Sequence, residues 1–136
     1  IIVTRRTPLL GICLGMQLFF SSSSEMGEAQ GLGFVGGKVL PFPANDLKVP
    51  QTGWNQLQID PSEPLFNGVK DKSYVYFNHG YYCEPVDPSD AIARTDYGVA
   101  FAASIRHGSI YGVQFHPEKS QDVGLQILKN FVEVCT

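Results

Sequence analysis

The feature that most constrains this chain is the stretch PLLGICLGMQLFF at residues 8–20. Its first half is apolar and small enough for a short buried strand, and apolar residues recur at helical spacing over residues 14–20. The chain must therefore turn sharply at Cys13. We expect so tight a turn to need glycine on both sides, and Gly11 and Gly15 provide it. A Gly-x-Cys-x-Gly pattern between a strand and a helix is typical of a nucleophile elbow, which lifts one side chain out of a sheet.

Cys13 has two interpretations at this stage. At the amino end of a helix, free backbone N–H groups and the helix dipole favour the thiolate, which is the reactive form of cysteine. The alternative is a small buried hydrophobe, which is what most lone cysteines are. The residues around position 13 leave both open, so the decision depends on residues elsewhere in the chain.

The composition is that of a globular α/β protein. The 136 residues are 43% hydrophobic and 17% charged, and predicted strands and helices alternate, so we expect one domain over residues 1–136. A net charge of -3 with scattered basic residues excludes an electrostatic footprint for nucleic acid or an anionic membrane. No apolar run is long enough to span a bilayer. The cysteines, Cys13, Cys83 and Cys135, have no paired spacing, which predicts reduced thiols and a cytoplasmic location.

The rest of the chain predicts a series of strands closed by a helix. In order, we predict a polar loop at 21–33, a strand at 38–42, an irregular segment at 48–55, strands at 56–59, 73–77, 91–95, 100–106 and 109–115, and a helix at 121–134 with one apolar stripe. The last two strands form a hairpin. A strand that carries a nucleophile usually lies centrally in its sheet, with neighbours on both edges. The elbow strand comes almost at once here, so the chain resembles a domain that starts in its middle.

His116 and Glu118 supply the base that Cys13 would need. They follow the strand predicted at 109–115, in the sequence QFHPEKS. A thiolate that attacks a carbonyl needs a base to hold and return a proton, and that base needs an acceptor to orient it. Taken singly, His116 fits a solvent-facing histidine and Glu118 fits an acid near a helix start. Together with the elbow they predict a Cys-His-Glu triad.

These motifs resemble those of the class I (triad) glutamine amidotransferases. The stretches GICLGMQ and QFHPEKS carry the resemblance, and VPQTGWN, SYVYFNHGYY, TDYG and GLQILKNF are similar to the glutaminase subunits of imidazole glycerol phosphate synthases. The similarity covers residues 8–131. It implies an α/β fold with a flavodoxin-like mixed sheet and antiparallel strands in the second half. It also implies hydrolysis of glutamine to glutamate and ammonia, with no metal and no cofactor.

The resemblance implies a role for each matched position of the triad. Cys13 would be the nucleophile, His116 the general acid and base, and Glu118 the residue that orients the imidazole. The backbone N–H of Leu14, directly after the nucleophile, would donate to the oxyanion of the tetrahedral intermediates.

The resemblance also implies contacts with glutamine. Gln17 and Glu25 would hold the amide side and the α-amino end of the substrate. Asn78, Gly80 and Tyr81 match a loop whose backbone grips its amino-acid end. The sequence Asn-His-Gly at 78–80 is closer to the carbamoyl phosphate synthetase pattern, so a glutaminase of carbamoyl phosphate or anthranilate synthase is left as an alternative.

A partner protein is implied as well. Glutaminases of this kind pass ammonia to a (β/α)₈-barrel cyclase subunit in histidine biosynthesis. Trp54 lies in a Gly-Trp-Asn loop that is similar to the subunit interface segment of the family, and Lys119 would pair with an acidic residue of the partner. The alternatives are a core tryptophan and a solvated lysine.

One part of the family pattern has no match before Pro8. In the family, a glycine-rich loop on an earlier strand gives the second oxyanion donor. We therefore expect an N-terminally truncated domain, and losing one such donor typically costs about a hundred- to a thousandfold in rate. The alternative to an active glutaminase is an impaired remnant that self-associates as a homodimer through an exposed sheet edge.

Overall fold

The computed structural model describes residues 2–25 and 27–136. Its helices are α1 (Ile2–Arg5), α2 (Leu14–Leu18) and α3 (Gln121–Val134). The strands are β1 (Leu9–Ile12), β2 (Phe20–Ser23), β3 (Ala29–Gln30), β4 (Val35–Pro41), β5 (Gln51–Gln56), β6 (Gln58–Ile59), β7 (Tyr74–His79), β8 (Tyr81–Pro85), β9 (Ala91–Asp96), β10 (Ala100–His107) and β11 (Ile110–Val113). Short 3-10 turns lie at Pro64–Phe66, Pro88–Asp90 and Pro117–Lys119. Within these ranges, no helix has the length and apolar character that a bilayer crossing requires.

The strands pair into three sheets. The largest has the order β1-β11-β10-β9-β6, with β1 parallel to β11 and the other pairs antiparallel. A second sheet has the order β3-β2-β4-β8, and β5 pairs with β7 in a third. The expected α/β fold with antiparallel strands in the second half is confirmed, and β10 and β11 form the expected hairpin.

The core lies on both faces of the largest sheet, and the sequence of β10 shows why. Successive side chains of a strand point to opposite faces. Phe101 and Ala103 belong to the apolar cluster that contacts α3, whereas Ala102 belongs to the cluster around α2 and the second sheet. Ile105 joins Ala102 in that second cluster, because register shifts on either side of Ser104 interrupt the alternation. All four are buried because each face is covered. The sheet is therefore held between two apolar layers, and its strand ends are fixed in place.

Helix α3 is the amphipathic element that the periodicity predicts. Ile127 is fully buried in the cluster beneath the sheet, and Val123, Phe131 and Val134 pack against that cluster. Their spacing of three and four residues puts them on one face. The helix thereby packs against the chain segment that follows β11.

Two predicted segments differ in the structure. The helix after the elbow ends at Leu18, and the region predicted as a polar loop contains β2, in which Ser22 pairs with Lys38 of β4 and Gln30 of β3. Phe20 is fully buried, so the start of this polar run is anchored in the core. Period-3.6 patterning overestimated the helix because Phe20 faces the core from a strand.

The segment predicted as irregular is also a strand. Residues Gln51–Gln56 pair with β7 along their whole length, from Gln51 opposite His79 to Gln56 opposite Tyr74. Trp54 therefore lies on a strand and not in the predicted loop. The strand predicted at 56–59 is split at buried Leu57, whose N–H donates to the carbonyl of Ser73.

The elbow strand β1 lies at the edge of its sheet. Its register with β11 runs from Leu9 opposite Ile110 to Ile12 opposite Val113. Among residues 2–25 and 27–136, no strand pairs with its other edge. The central position expected for a nucleophile strand is therefore not found within the described residues.

Candidate active site

The turn at Cys13 has the backbone geometry of an elbow. Cys13 adopts φ 54° and ψ -108°, and its N–H donates to the Val113 carbonyl at 2.8 Å. A positive φ in a non-glycine residue is strained by about 1–3 kcal/mol and persists only where the surroundings enforce it. The hydrogen bond to β11 is one such constraint. The predicted sharp turn between a strand and a helix is confirmed.

The two flanking glycines are not equivalent. A Cβ on Gly11 would lie 2.5 Å from the Phe19 ring and 2.7 Å from the backbone of Gly15, so only glycine fits there. A Cβ on Gly15 would meet no atom of the described residues within 4 Å. The prediction that the turn needs glycine on both sides is therefore correct for Gly11 and wrong for Gly15.

The thiol of Cys13 is not a resting thiolate. Burial raises the pKa of the Cys13 thiol, and the negative charges of Glu118 and Glu25 raise it further. Hydrogen bonds from the Leu14 N–H and the Gln114 side chain lower this pKa without outweighing the burial. Helix α2 has only five residues, so its dipole is small. The raised pKa contradicts the predicted preference for the thiolate, so a nucleophilic role for Cys13 would require a base.

The ring of His116 is held in one orientation by a carboxylate. Its Nδ1 lies 2.7 Å from Oε1 of Glu118, and its backbone N–H donates to the Tyr76 carbonyl at 2.9 Å. Because a carboxylate only accepts, Nδ1 carries the hydrogen and Nε2 is left unprotonated in the neutral ring. The pair is held at the start of the Pro117–Lys119 turn, where the Ser120 hydroxyl donates to the His116 carbonyl at 2.6 Å.

Both halves of the predicted triad lie at the same end of the sheet. Cys13 follows β1 and His116 comes three residues after β11, and these two strands are adjacent and parallel. The carboxyl ends of neighbouring parallel strands meet at one edge, where α/β proteins usually bind ligands. The position of Cys13 within the field of Glu118 agrees with this arrangement.

A cavity of about 310 Å³ opens beside the elbow. It is lined by residues of α2 and of the segment that follows it, including Leu14, Gln17 and Glu25. Gln17 is nearly buried, and its Nε2 donates to the Tyr81 carbonyl and to Oε1 of Gln114, both at 3.3 Å. Three of the residues predicted for the oxyanion and for glutamine therefore share one cavity.

The segment from Asn78 to Tyr81 contacts Cys13 and Gln17 through its backbone, although its residues do not line the cavity. The Cys13 Sγ lies 3.8 Å from the Asn78 carbonyl, and the Tyr81 carbonyl accepts from Gln17. Asn78 lies on β7, which ends at His79, and Tyr81 begins β8, so only Gly80 of the predicted loop lies between the two strands. A Cβ on Gly80 would approach only Val49, at 3.8 Å, and the described residues give Gly80 no contact with the cavity.

Three polar residues under the site, Gln114, His79 and Gln51, have no functional role predicted from the sequence. Gln114 is fully buried and contacts both Cys13 and Gln17, although the only signal was its place in the QFHPEKS motif. His79 is buried between the Tyr81 carbonyl at Nδ1 and Gln51 at Nε2. Burial lowers the pKa of His79 to about 4, so its ring is neutral. With Nδ1–H given to the carbonyl, Nε2 accepts, and the Gln51 amide must turn its N–H toward the ring.

The residues predicted for a partner surface lie together on the outside. Residue Trp54 is 48% exposed, and its ring packs edge-on against Tyr76 with centroids 5.9 Å apart. Lys119 Nζ lies 5.8 Å from the centroid of the same Tyr76 ring. The core alternative for Trp54 is excluded by this exposure, while its role at an interface stays a prediction.

Comparison with known proteins gives relatives over nearly the whole chain. Residues 2–135 match the family model for class-I glutamine amidotransferases. The HisH subunit of imidazole glycerol phosphate synthase from Methanosarcina barkeri is 48% identical over 130 residues, and that from Chlorobaculum tepidum is 52% identical over 126 residues. These alignments cover 94% and 92% of this chain but only 64% and 63% of the relatives. The chain thus spans under two thirds of their length.

Solved structures agree with this likeness at the level of the fold. A glutamine amidotransferase from Thermotoga maritima superimposes with a TM-score of 0.65, at 21% identity, over 98% of this chain and 48% of that chain. At this identity the match supports the fold alone. The flavodoxin-like mixed sheet expected for the chain is thereby confirmed.

Proposed function

Because the chain belongs to the class I glutamine amidotransferase family, we propose that it is a glutaminase subunit of an imidazole glycerol phosphate synthase. As a single cytoplasmic domain, it would hydrolyse glutamine to glutamate and ammonia for a cyclase subunit in histidine biosynthesis. The identity of 48–52% with HisH subunits favours this assignment over carbamoyl phosphate or anthranilate synthase. The observation that carries the chemistry is the 2.7 Å contact between His116 and Glu118 at the sheet edge where Cys13 lies.

The proposed reaction begins with a neutral thiol. His116 Nε2 takes the Cys13 proton as the sulfur bonds to the side-chain amide carbon of glutamine. The oxyanion of the tetrahedral intermediate accepts from the Leu14 N–H, which already faces the sulfur. The C–N bond then breaks, and His116 returns the proton to the leaving nitrogen, so ammonia departs. Water, deprotonated by His116, opens the γ-glutamyl thioester and releases glutamate and the thiol.

Glu118 makes this cycle repeatable. A carboxylate at Nδ1 keeps the hydrogen on that nitrogen, so Nε2 alternates between base and acid, and the charge stabilises the imidazolium that forms. Glu118 is about half exposed, so its effect is weaker than that of a fully buried acid. Its role is to orient and stabilise the ring, and His116 carries the proton.

Glutamine would bind in the 310 Å³ cavity next to the elbow. The Glu25 carboxylate can accept from the α-ammonium group of glutamine, and backbone groups of the Asn78–Tyr81 segment border the sulfur. Gln17 uses its Nε2 for two internal acceptors, so its Oε1 is the end left to accept from the substrate. Gln17 is predicted to hold the amide side of glutamine, and in this orientation it would do so as an acceptor.

The cyclase partner would dock on the surface formed by Trp54, Tyr76 and Lys119. An exposed aromatic residue braced by a second ring is the kind of anchor that dominates protein interfaces. Lys119 follows Glu118 directly, so docking at this surface acts next to the orienting carboxylate. A (β/α)₈-barrel with an acidic residue facing Lys119 is the partner we propose.

The test is affinity labelling of the nucleophile. A γ-glutamyl chloroketone should alkylate Cys13 with one equivalent per chain, because the reagent combines glutamine's amino-acid end with an electrophile at the attacked carbon. Cys13→Ala should abolish labelling. Cys135→Ala removes an exposed cysteine outside the site and is the matched control. Label on Cys135 in place of Cys13, or unchanged labelling of Cys13→Ala, would contradict the assignment.

Self-association is the second candidate, and one observation favours it. The outer edge of β1 carries no strand within residues 2–25 and 27–136, and such an edge can pair with a second copy. An obligate dimer by size-exclusion chromatography, together with no ammonia release in the presence of cyclase, would favour this impaired homodimer. A monomer that releases ammonia with cyclase would exclude it.

A further inference from the structure

Gln114 is a fully buried amide that lies directly against the nucleophile. Its Nε2 is 3.7 Å from the Cys13 Sγ, and its Oε1 is 3.3 Å from Nε2 of Gln17. Gln114 follows β11 by one residue, and its own N–H donates to the Ala103 carbonyl at 2.8 Å. The side chain is therefore held by the sheet on one side and by two site residues on the other.

The orientation of this amide is fixed from outside the pair. A backbone carbonyl can only accept, so the contact of Gln17 with the Tyr81 carbonyl must be made by the Gln17 NH₂ group. The same NH₂ group faces Gln114, which must therefore present its oxygen to Gln17. The NH₂ group of Gln114 is then the end that faces Cys13. Gln17 donates to Gln114, and Gln114 donates toward the sulfur. The orientation of both amides is set by the Tyr81 backbone carbonyl, which cannot exchange donor and acceptor as an amide side chain can.

We infer that Gln114 is a positioning residue for the nucleophile: through this fixed orientation it donates a hydrogen bond to the Cys13 sulfur and favours the thiolate that His116 generates. The inference rests on the proposed glutaminase function. A hydrogen bond to a charged group is worth more than one to a neutral group, so the contact strengthens as the sulfur becomes negative. A carboxylate or an apolar side chain at position 114 could not make it.

The surroundings of the sulfur explain why such a donor matters. Two carboxylates act on Cys13, Glu118 on the Pro117–Lys119 turn and Glu25 after β2, and both oppose a negative charge on the sulfur. The third titratable group at this end of the sheet is the proposed base, His116. Cys83 on β8 is a buried neutral thiol whose pKa burial raises. Against these stand two donors, the Leu14 N–H and the Gln114 amide. Since the Leu14 N–H also serves the oxyanion, Gln114 is the donor that stays with the sulfur.

The experiment measures the pKa of Cys13 from the pH dependence of its alkylation by iodoacetamide, read by peptide mass spectrometry. Gln114→Met keeps the length of the side chain and removes the donor. It should raise the pKa of the Cys13 thiol by about one, which slows alkylation at pH 7 about tenfold. Exposed Cys135 in the same molecules should react at an unchanged rate.

Two further variants separate the inference from a loss of stability. Gln17→Met frees the Gln114 amide to rotate, so it should raise the pKa of Cys13 by less than Gln114→Met does. Asn130→Leu removes another buried amide, which donates to the carbonyls of Leu65 and Asn67 under α3, and should leave the pKa of Cys13 unchanged.

The pKa measurements test the inference even if one variant does not fold. A pKa of Cys13 unchanged in Gln114→Met, or in Gln17→Met when the first variant is unfolded, would overturn the inference. A shift in Asn130→Leu equal to that in Gln114→Met would also overturn it. Because alkylation needs no glutamine, a chain without glutaminase activity that still shows the shift would contradict only the proposed function.

Discussion

Gly124 lies in the first turns of α3, where the sequence alone would favour alanine. Alanine is better than glycine in a helix interior by about 1 kcal/mol. In the structure, however, α3 packs directly on the Pro117–Lys119 turn. A Cβ on Gly124 would lie 1.8 Å from the carbonyl oxygen of Pro117 and 2.7 Å from its carbonyl carbon. We therefore expect Gly124→Ala to destabilise the protein, opposite to what helix propensity predicts.

The magnitude follows from that contact. Carbon and carbonyl oxygen approach to about 3.3 Å at closest, so the helix and the turn must separate by about 1.5 Å to accept the methyl group. Both obstructing atoms are backbone, and no side chain can move aside. Overpacking of this kind costs about 1–3 kcal/mol. Because backbone atoms cannot move aside, we take the upper end of that range, about 3 kcal/mol, and subtract the gain in helix propensity of about 1 kcal/mol. The free energy of unfolding should therefore fall by about 2 kcal/mol, which lowers the melting temperature by roughly 8 °C.

The assay is urea unfolding at pH 7, compared with Gly15→Ala. Gly15 is also a helical glycine, but its Cβ would meet no atom of the described residues, so this control should be neutral or slightly stabilised. Because the displaced turn carries Glu118, glutaminase activity of Gly124→Ala should fall further than its stability explains. An unfolding midpoint of Gly124→Ala equal to or above that of the parent would refute this reasoning.

Three further predictions concern the triad, the buried histidine and the outer surface. Glu118→Gln should lower the rate of ammonia release about a hundredfold with little change in stability, because the amide no longer stabilises the imidazolium of His116. An unchanged rate would mean that the Glu118 carboxylate has no part in catalysis. His79 has a folded pKa of about 4, below its ordinary 6.5, so the unfolded chain binds more protons as pH falls through this window. The free energy of unfolding should therefore drop by about 2 kcal/mol between pH 7 and pH 5, and by clearly less in His79→Gln, as urea titrations at both pH values would show. Trp54→Ala should weaken binding of the cyclase by about 2 kcal/mol in calorimetry while leaving the unfolding midpoint unchanged. An affinity equal to that of the parent would mean that the cyclase binds at another surface.

The elements that carry one strong period were predictable. Helix α3 has the bounds that its apolar stripe predicts, and the run SYVYF becomes β7, where buried Val75 and Phe77 alternate with more exposed neighbours. Each element buries a single face, and the spacing of its apolar residues predicts that face. Such patterns survive in the fold because burial decides them.

Elements held mainly by backbone pairing were not predictable. The serine-rich strand β2 and strand β5 have no apolar alternation, and they form because β4 and β7 offer unpaired edges at the right distance. The local sequence of a strand does not predict which other strand will offer it an unpaired edge. The same applies to Gln114 and His79, because a polar residue becomes part of a buried network only through the contacts that the fold brings to it.

The site links two facts that the elbow motif alone would not connect. Cys13 is held in a strained conformation by β11, and the pKa of its thiol is raised by burial, so the motif provides position without providing the reactive ion. The proposed base comes from the segment after the strand that enforces the turn, since His116 follows β11 by three residues. The parallel pairing of β1 with β11 therefore positions Cys13 and His116, the proposed nucleophile and the proposed proton acceptor, together. A change that loosens this pairing should lower the rate of attack through both residues at once, so its effects with a His116 substitution should not add.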